Sequence, residues 1–407
     1  MFLTPWLRSI GQRLRTRKRS NTRQIESQRT RRHSSALIET LEDRTLLSTI
    51  SYTSASSALS YTADASEADD VTVSATSAAE LVIQVGNTDS ITLTGDASGN
   101  ADFVLSQTVT ADDTLTINTG GSAVTAFVIN LDDGNDTLTL AESGAGPLPA
   151  SITADGGADT NTLTGTDNAN SWTIASNNAG DIASTGTVFF LSIQNLTGGS
   201  STDDFVLDGG TLAGAIDGGT GSNSLTLNDT PNAINVPTGA TNSGTATGTG
   251  GFSNIGTVTG GASTDDFTFA DGGTLGSIDG AGGSDTLTVD ADNNTVTHNI
   301  TGSDDGDITV SGLTTISYTS IETRTLNNVP AGGTTLSIAS GDGTADGDDD
   351  YTLERVVDNL QISIDGTLSA TLPFADVGGV TITGTADDDQ LTVSIGSAQV
   401  NEVIPSG

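Results

Sequence analysis

The stretch that decides the fold is TGGSSTDDFVLDGGTLAGAIDGG, Thr197 to Gly219, because most of it returns as TGGASTDDF, Thr259 to Phe267. That second copy also runs on, through Asp271-Gly272-Gly273-Thr274-Leu275, to Ile278-Asp279-Gly280. The start-to-start offset is 259 − 197 = 62. Working outward, Asp155, Asp217 and Asp279 each precede a glycine (156, 218, 280), and Asn170, Asn232 and Asn294 keep the same spacing. A fixed period this rich in glycine predicts a repeat architecture, in which each unit buries its apolar edge only against its neighbours. Three repeats are expected over 156–341, starting at Gly156, Gly218 and Gly280.

Within and around the repeats, short patches of Thr, Val, Leu and Ile are punctuated by Asp, Gly, Asn and Ser, the pattern of strands and turns. In Thr137-Leu138-Thr139-Leu140 and Thr286-Leu287-Thr288-Val289 one face is apolar and the other hydroxylated, as a period of two requires. Patches recur so that two of them make one coil of roughly 21–23 residues, and 62 is then about three coils. The expected fold is all-β, a right-handed parallel β-helix. Its parts would be N-terminal coils over 49–155, the three repeats over 156–341, and C-terminal coils over 342–407. A string of antiparallel sandwiches is the rival, but a period of 62 is short for an immunoglobulin-like unit of about 100 residues. Solenoid ends expose strand edges, so self-association through them is expected.

The chain has 407 residues, of which 50 are Gly and only 4% aromatic, so the core must be thin and aliphatic. Cysteine is absent, which excludes disulfides, thiol catalysis and Cys-ligated zinc. Of 13 basic residues, 11 precede residue 49; of 51 acidic ones, 4 do. The body is therefore near 2 − 47 = −45 and the leader near 11 − 4 = +7. Such a body repels nucleic acid and anionic membranes and attracts divalent cations. No apolar run is long enough to predict a transmembrane helix. No conventional signal peptide is visible either.

Residues 1–48 form a basic segment, expected to be disordered or partly helical, that carries RLRTRKRS (Arg13 to Ser20) and ends in LEDRTLLS (Leu41 to Ser48). This ending resembles the LEPR-XLL motif of large exported bacterial surface proteins, with Asp43 where the family's name has Pro. The resemblance implies a sorting segment and an extracellular or cell-surface destination. The repeats are also similar to those of haemagglutinin-like surface proteins.

GGADTNTLT (Gly156 to Thr164), GGTGSNSLT (Gly218 to Thr226) and GAGGSDTLT (Gly280 to Thr288) resemble the nonapeptides of haemolysin-type calcium-binding β-rolls. LDDGNDTLT (Leu131 to Thr139) is a looser copy. That resemblance implies calcium, a hard cation satisfied by six to eight oxygens. The expected ligands are Asp132, Asp133 and Asp136 with Asp155 and Asp159, the two groups separated by 155 − 132 = 23, about one coil. The pairs Asp203-Asp204 and Asp265-Asp266 follow, and Asp285 holds the ligand position of the third nonapeptide. The plainer alternative is that Asp and Asn simply make turns by accepting local backbone hydrogen bonds.

Signals for catalysis are poor. A β-helix enzyme acting on acidic polysaccharide needs cations, and beyond residue 48 only Arg324 and Arg355 remain. His298, the one body histidine, aligns with Ile174 and Val236, which predicts a partly buried structural role. The expected function is a non-enzymatic, adhesin-like or matrix element stiffened by calcium. Its partners would be cell-envelope or matrix components, glycans among them. A polysaccharide-binding or polysaccharide-cleaving β-helix is the alternative.

Overall fold

The computed structural model describes residues 47–63, 68–77, 79–86, 90–108, 111–121, 123–142, 148–149, 151–184, 186–339, 350–364, 366–383, 389–395 and 398–404. Most of the expected basic leader, residues 1–46, and the Asp-rich stretch 340–349 lie outside the described residues. What is described is all-β, with long parallel ladders.

The strands form because their alternation matches the pleat. Thr286–Asp290 buries Leu287 and Val289 while Thr286 and Thr288 turn outward, and Asp203–Leu207 likewise buries Phe205 and Leu207. Neighbouring rows stack in parallel register. Ser151–Asp155 lies between Ala126–Asn130 and Thr187–Leu191, with Ile152 level with Phe127 on one side and Val188 on the other.

Successive strands go alternately to two stacks. Sheet A has 17 strands among the described residues and includes Ala126–Asn130, Ser151–Asp155, Asp203–Leu207, Ser224–Thr226, Thr257–Thr259 and Ser277–Asp279. Sheet B takes the strands between them: Thr137–Glu142, Thr162–Thr164, Asn195–Thr197, Ala215–Asp217 and Gly251–Ser253. The Gly244↔Phe252 bridge joins it to Thr245–Ala246, from which it continues through Asn232–Val236, Asp265–Phe269, Thr286–Asp290 and Thr323–Asn327. Their apolar faces share one core that runs from Ile50 to Leu372. This connectivity is compatible with a β-solenoid.

Coil length departs from the uniform value that the patch spacing suggests. The sequence offset between stacked rows is 224 − 204 = 20 or 151 − 126 = 25 in some places, and 203 − 170 = 33 or more in others. Within the repeats, the longer coils each contain a three-strand antiparallel meander. The first (Asn170–Ser176, Ala179–Ala183, Thr187–Leu191) is inserted in sheet A. The second (Asn232–Val236, Thr245–Ala246, Gly251–Ser253) is in sheet B, and the third (Val296–Ile300, Gly306–Val310, Ile316–Thr319) is in sheet A again. A fourth (Asp350–Val356, Asn359–Ile364, Thr367–Pro373) follows the repeats, its last strand against Thr323–Asn327 of sheet B.

The alternation has a simple cause. The first repeat visits B, A, B, A and B in turn, so the second begins on A with Ser224–Thr226. The repeat is thus two and a half coils, where its length suggested three, and equivalent residues sit on opposite sheets. Trp172 and Phe205 pair in sheet A, whereas their counterparts Ile234 and Phe267 pair in sheet B.

Each meander in the repeats folds around one glycine and one ring. Gly180 faces Phe190, Gly244 faces Phe252 and Gly306 faces Tyr318. A Cβ at Gly180 or Gly244 would come within 3.0 Å of the ring carbon Cζ, and one at Gly306 within 2.4 Å of the Tyr318 oxygen. Glycine leaves the space that lets the ring fill the core beneath the hairpin.

Candidate functional site

The acidic residues singled out by sequence fall into two populations. Those at or just before the start of a strand point inward and are buried; those in the loops or one residue into a strand point out. Asp136, Asp203, Asp265 and Asp285 are at most 1% exposed, whereas Asp133, Asp159, Asp204 and Asp266 are exposed.

The buried ones form rungs between rows. Asp203 Oδ1 accepts from the Asn170 amide at 2.5 Å, its Oδ2 accepts from Gly199 N–H at 2.8 Å, and its own N–H donates to Asn223 Oδ1 at 2.9 Å. Asp265 repeats this on the other sheet. Its Oδ1 accepts from Asn232 N–H and Nδ2, both at 2.8 Å, and its Oδ2 from Gly261 N–H at 2.7 Å; its N–H donates to Asp285 Oδ1 at 2.7 Å. Asp285 N–H donates to Glu322 Oε2 at 2.5 Å. A third ladder runs Asp69 N–H to Asp136 Oδ1, Asp136 N–H to Asn161 Oδ1, and Asn161 N–H to Gln194 Oε1. The residue at each of these strand starts would otherwise bury an N–H without a partner, so the side chain of the next row supplies the acceptor.

The outward carboxylates bond to their own turn or to the next row. Asp155 Oδ1 accepts from Gly157 N–H at 3.0 Å, and Asp204 Oδ1 from Ser224 Oγ at 2.7 Å. Asp132 and Asp159 occupy left-handed backbone at φ 62° and 63°. The two acidic turns expected to stack do lie in adjacent rows, with Ala158 N–H on the Asp132 carbonyl at 2.8 Å and Thr160 N–H on Asn135 Oδ1 at 2.9 Å. Within that stack Asp136 is inward while Asp133 and Asp159 face solvent. Asp266 is likewise on the outer face of its strand, opposite Thr286 of the next row. Among the described residues no three His, Asp or Glu side chains come together as metal ligands would.

Burial raises the carboxyl of Asp203, against the opposing pull of the Asn170 amide, the Gly199 N–H and the Trp172 indole. At Asp136 and Asp285 desolvation pushes it up to about 6, and neighbouring acids add to the shift.

The burial of Arg324 was not legible in the sequence, and that of His298 was only partly so. Arg324 takes a core position, 1% exposed, with its guanidinium 5.3 Å from the Tyr318 ring centre and donating to the carbonyls of Ser303, at 2.9 Å, and Ile321. His298 pairs with Ile308 and Leu336 as Trp172 pairs with Ile182 and Phe205, so it replaces Trp172, not Ile174. It is fully buried, not partly, and its Nε2 is 2.8 Å from the Tyr318 hydroxyl. The two extra residues between the repeats, 298 − 172 = 126 against twice 62, hid that equivalence.

The middle repeat differs on its surface. Gly256 stands where the outer two have Gln194 and Glu322, and a polar groove of about 500 Å³ opens there, lined by Gly219, Ser222, Asn223, Asn242, Asn254 and Thr257 among others. No charged side chain lines it. No known protein family matches the chain, and neither does any curated protein.

Proposed function

We propose that this chain is an exported, non-enzymatic surface or matrix element, adhesin-like in use, built as a right-handed β-solenoid. Right-handedness follows the general rule for parallel crossovers. The observation that carries the functional reading is the single core from Ile50 to Leu372, whose alternate residues present long outward rows of Thr, Ser, Asn and Asp. A chain that spends its side chains on stacked rows makes length and surface. Calcium, in this reading, gathers at the outward acidic turns as a counter-ion to a body of about −45, and no single carboxylate is assigned to it. Fractionation and immunogold labelling of the native cell test the proposal: antigen at the surface or in the medium supports it, and antigen confined to the soluble cytoplasm overturns it.

The groove at Gly256 favours a second reading, a module that binds neutral glycan. Its lining offers amides and hydroxyls without charge, which suits a sugar and not a polyanion. Glycan-array binding that is lost on Gly256→Gln would support this; an array with no signal would remove it.

A further inference from the structure

Three equivalent turns place three side-chain ends at one spot. Each turn has a glycine, Gly156, Gly218 or Gly280, five residues before the rung residue, Asn161, Asn223 or Asp285. A Cβ built on those glycines would lie 2.7 Å from Asn161 Nδ2, 2.6 Å from Asn223 Nδ2 and 2.5 Å from Asp285 Oδ2. The same Cβ would lie 2.3, 2.3 and 2.0 Å from the carbonyl oxygens of Ser192, Asn254 and Ser320. In the first two turns the amide is a donor: Asn161 Nδ2 to Ser192 O at 3.2 Å and Asn223 Nδ2 to Asn254 O at 3.0 Å. In the third, an oxygen occupies the donor's place. Asp285 Oδ2 is buried and has no hydrogen-bond partner. Asp136, stacked on Asn161 in the neighbouring row, has the same orphan Oδ2.

Two facing oxygens repel unless something positive sits between them. We infer that Asp285, and with it Asp136, is a proton-holding rung: at acidic pH its carboxyl stays neutral in the folded chain, and the Asp285 Oδ2–H then donates as the amides of Asn161 and Asn223 do. The surroundings agree. Asp285 faces Asp265 from the row before, Glu322 from the row after and Asp279 in its own turn, and Asp136 faces Asp70, Asp159 and Asp132, so every one of these charged neighbours is acidic. Arg324, two residues past Glu322, directs its guanidinium at carbonyls and the Tyr318 ring instead. The contrast with Asp203 and Asp265 is chemical, since their Oδ2 atoms already accept from Gly199 and Gly261.

The carboxyls sit near 6 when folded, above the ordinary 3.8. Their contribution is thus complete at low pH and is lost as pH rises through about 6. The test uses the full chain, its D285N and D136N variants and the double variant, with thermal midpoints measured between pH 4.5 and 8 in EDTA and again in calcium chloride. Expected is a wild-type midpoint that falls as pH rises, with the fall reduced in each single variant and further in the double, and D285N at pH 7.5 at least as stable as wild type. If D285N is less stable than wild type at pH 7.5, or keeps the wild-type pH slope, the inference fails. It fails equally if calcium restores the wild-type midpoint saturably at pH 7.5 and leaves D285N unmoved, because the slot then takes a cation.

Discussion

Asp265 shows at one residue what the acidic positions do. It accepts three hydrogen bonds inside the protein, so removing it strands the Asn232 and Gly261 donors. Asp265→Ala should lower stability by about 3 kcal/mol or more, while Asp266→Ala, one residue on and exposed, should stay within about 0.5 kcal/mol. Urea midpoints would separate them. His298 makes the opposite pH prediction to Asp285. Burial, helped by the Arg324 charge, depresses it to about 3 from an ordinary 6.5. Its stabilising contribution is therefore complete above about 6.5 and is lost as pH falls towards 3. His298→Leu combined with Tyr318→Phe should flatten the acid side of a stability-against-pH curve, and an unchanged curve would refute the assignment. Beyond a structural role for His298, none of this could be read from the chain. Asp and Asn are turn formers everywhere, and only the fold shows which of two successive carboxylates, Asp203 or Asp204, begins a strand facing inward.

At the scale of strands and coils, alternation and glycine-rich turns made the β class and the repeat boundaries legible. Hairpins were not, because Ala179–Ala183 is as short as many a coil strand and nothing local says whether the chain crosses to the other sheet or doubles back. The pairings make a sharp prediction. Asp204 is level with Ser224 and Phe205 with Leu225, so excising Asp203–Ser222 removes one whole coil and puts Asn223 where Asp203 stood. Phe205's place beside Trp172 is then taken by Leu225 in the same orientation. That deletion should still unfold cooperatively in a circular-dichroism melt. Excising one residue more, Asp203–Asn223, reverses the faces of the junction strand and should abolish the transition. Equal behaviour of the two deletions would show that the rows are not in the register described.

For the molecule as a whole, the charge was the most readable property and the partner the least, since a surface of Thr, Asn and Asp suits many contacts. A body near −45 repels itself. Raising salt from about 0.01 M to about 0.15 M shortens the screening length from about 30 Å to about 8 Å and should raise the thermal midpoint by several degrees. Calcium chloride matched in ionic strength should exceed sodium chloride only if the acidic turns hold it specifically, which a saturable increment would show.

The half-coil remainder in each repeat reaches beyond folding. Every duplication of this unit turns its outward side chains to the far side of the molecule, so lengthening by copying yields a double-sided tape and not a one-sided strip. A contact carried by the loops of one copy would therefore be met by the next copy from the opposite direction.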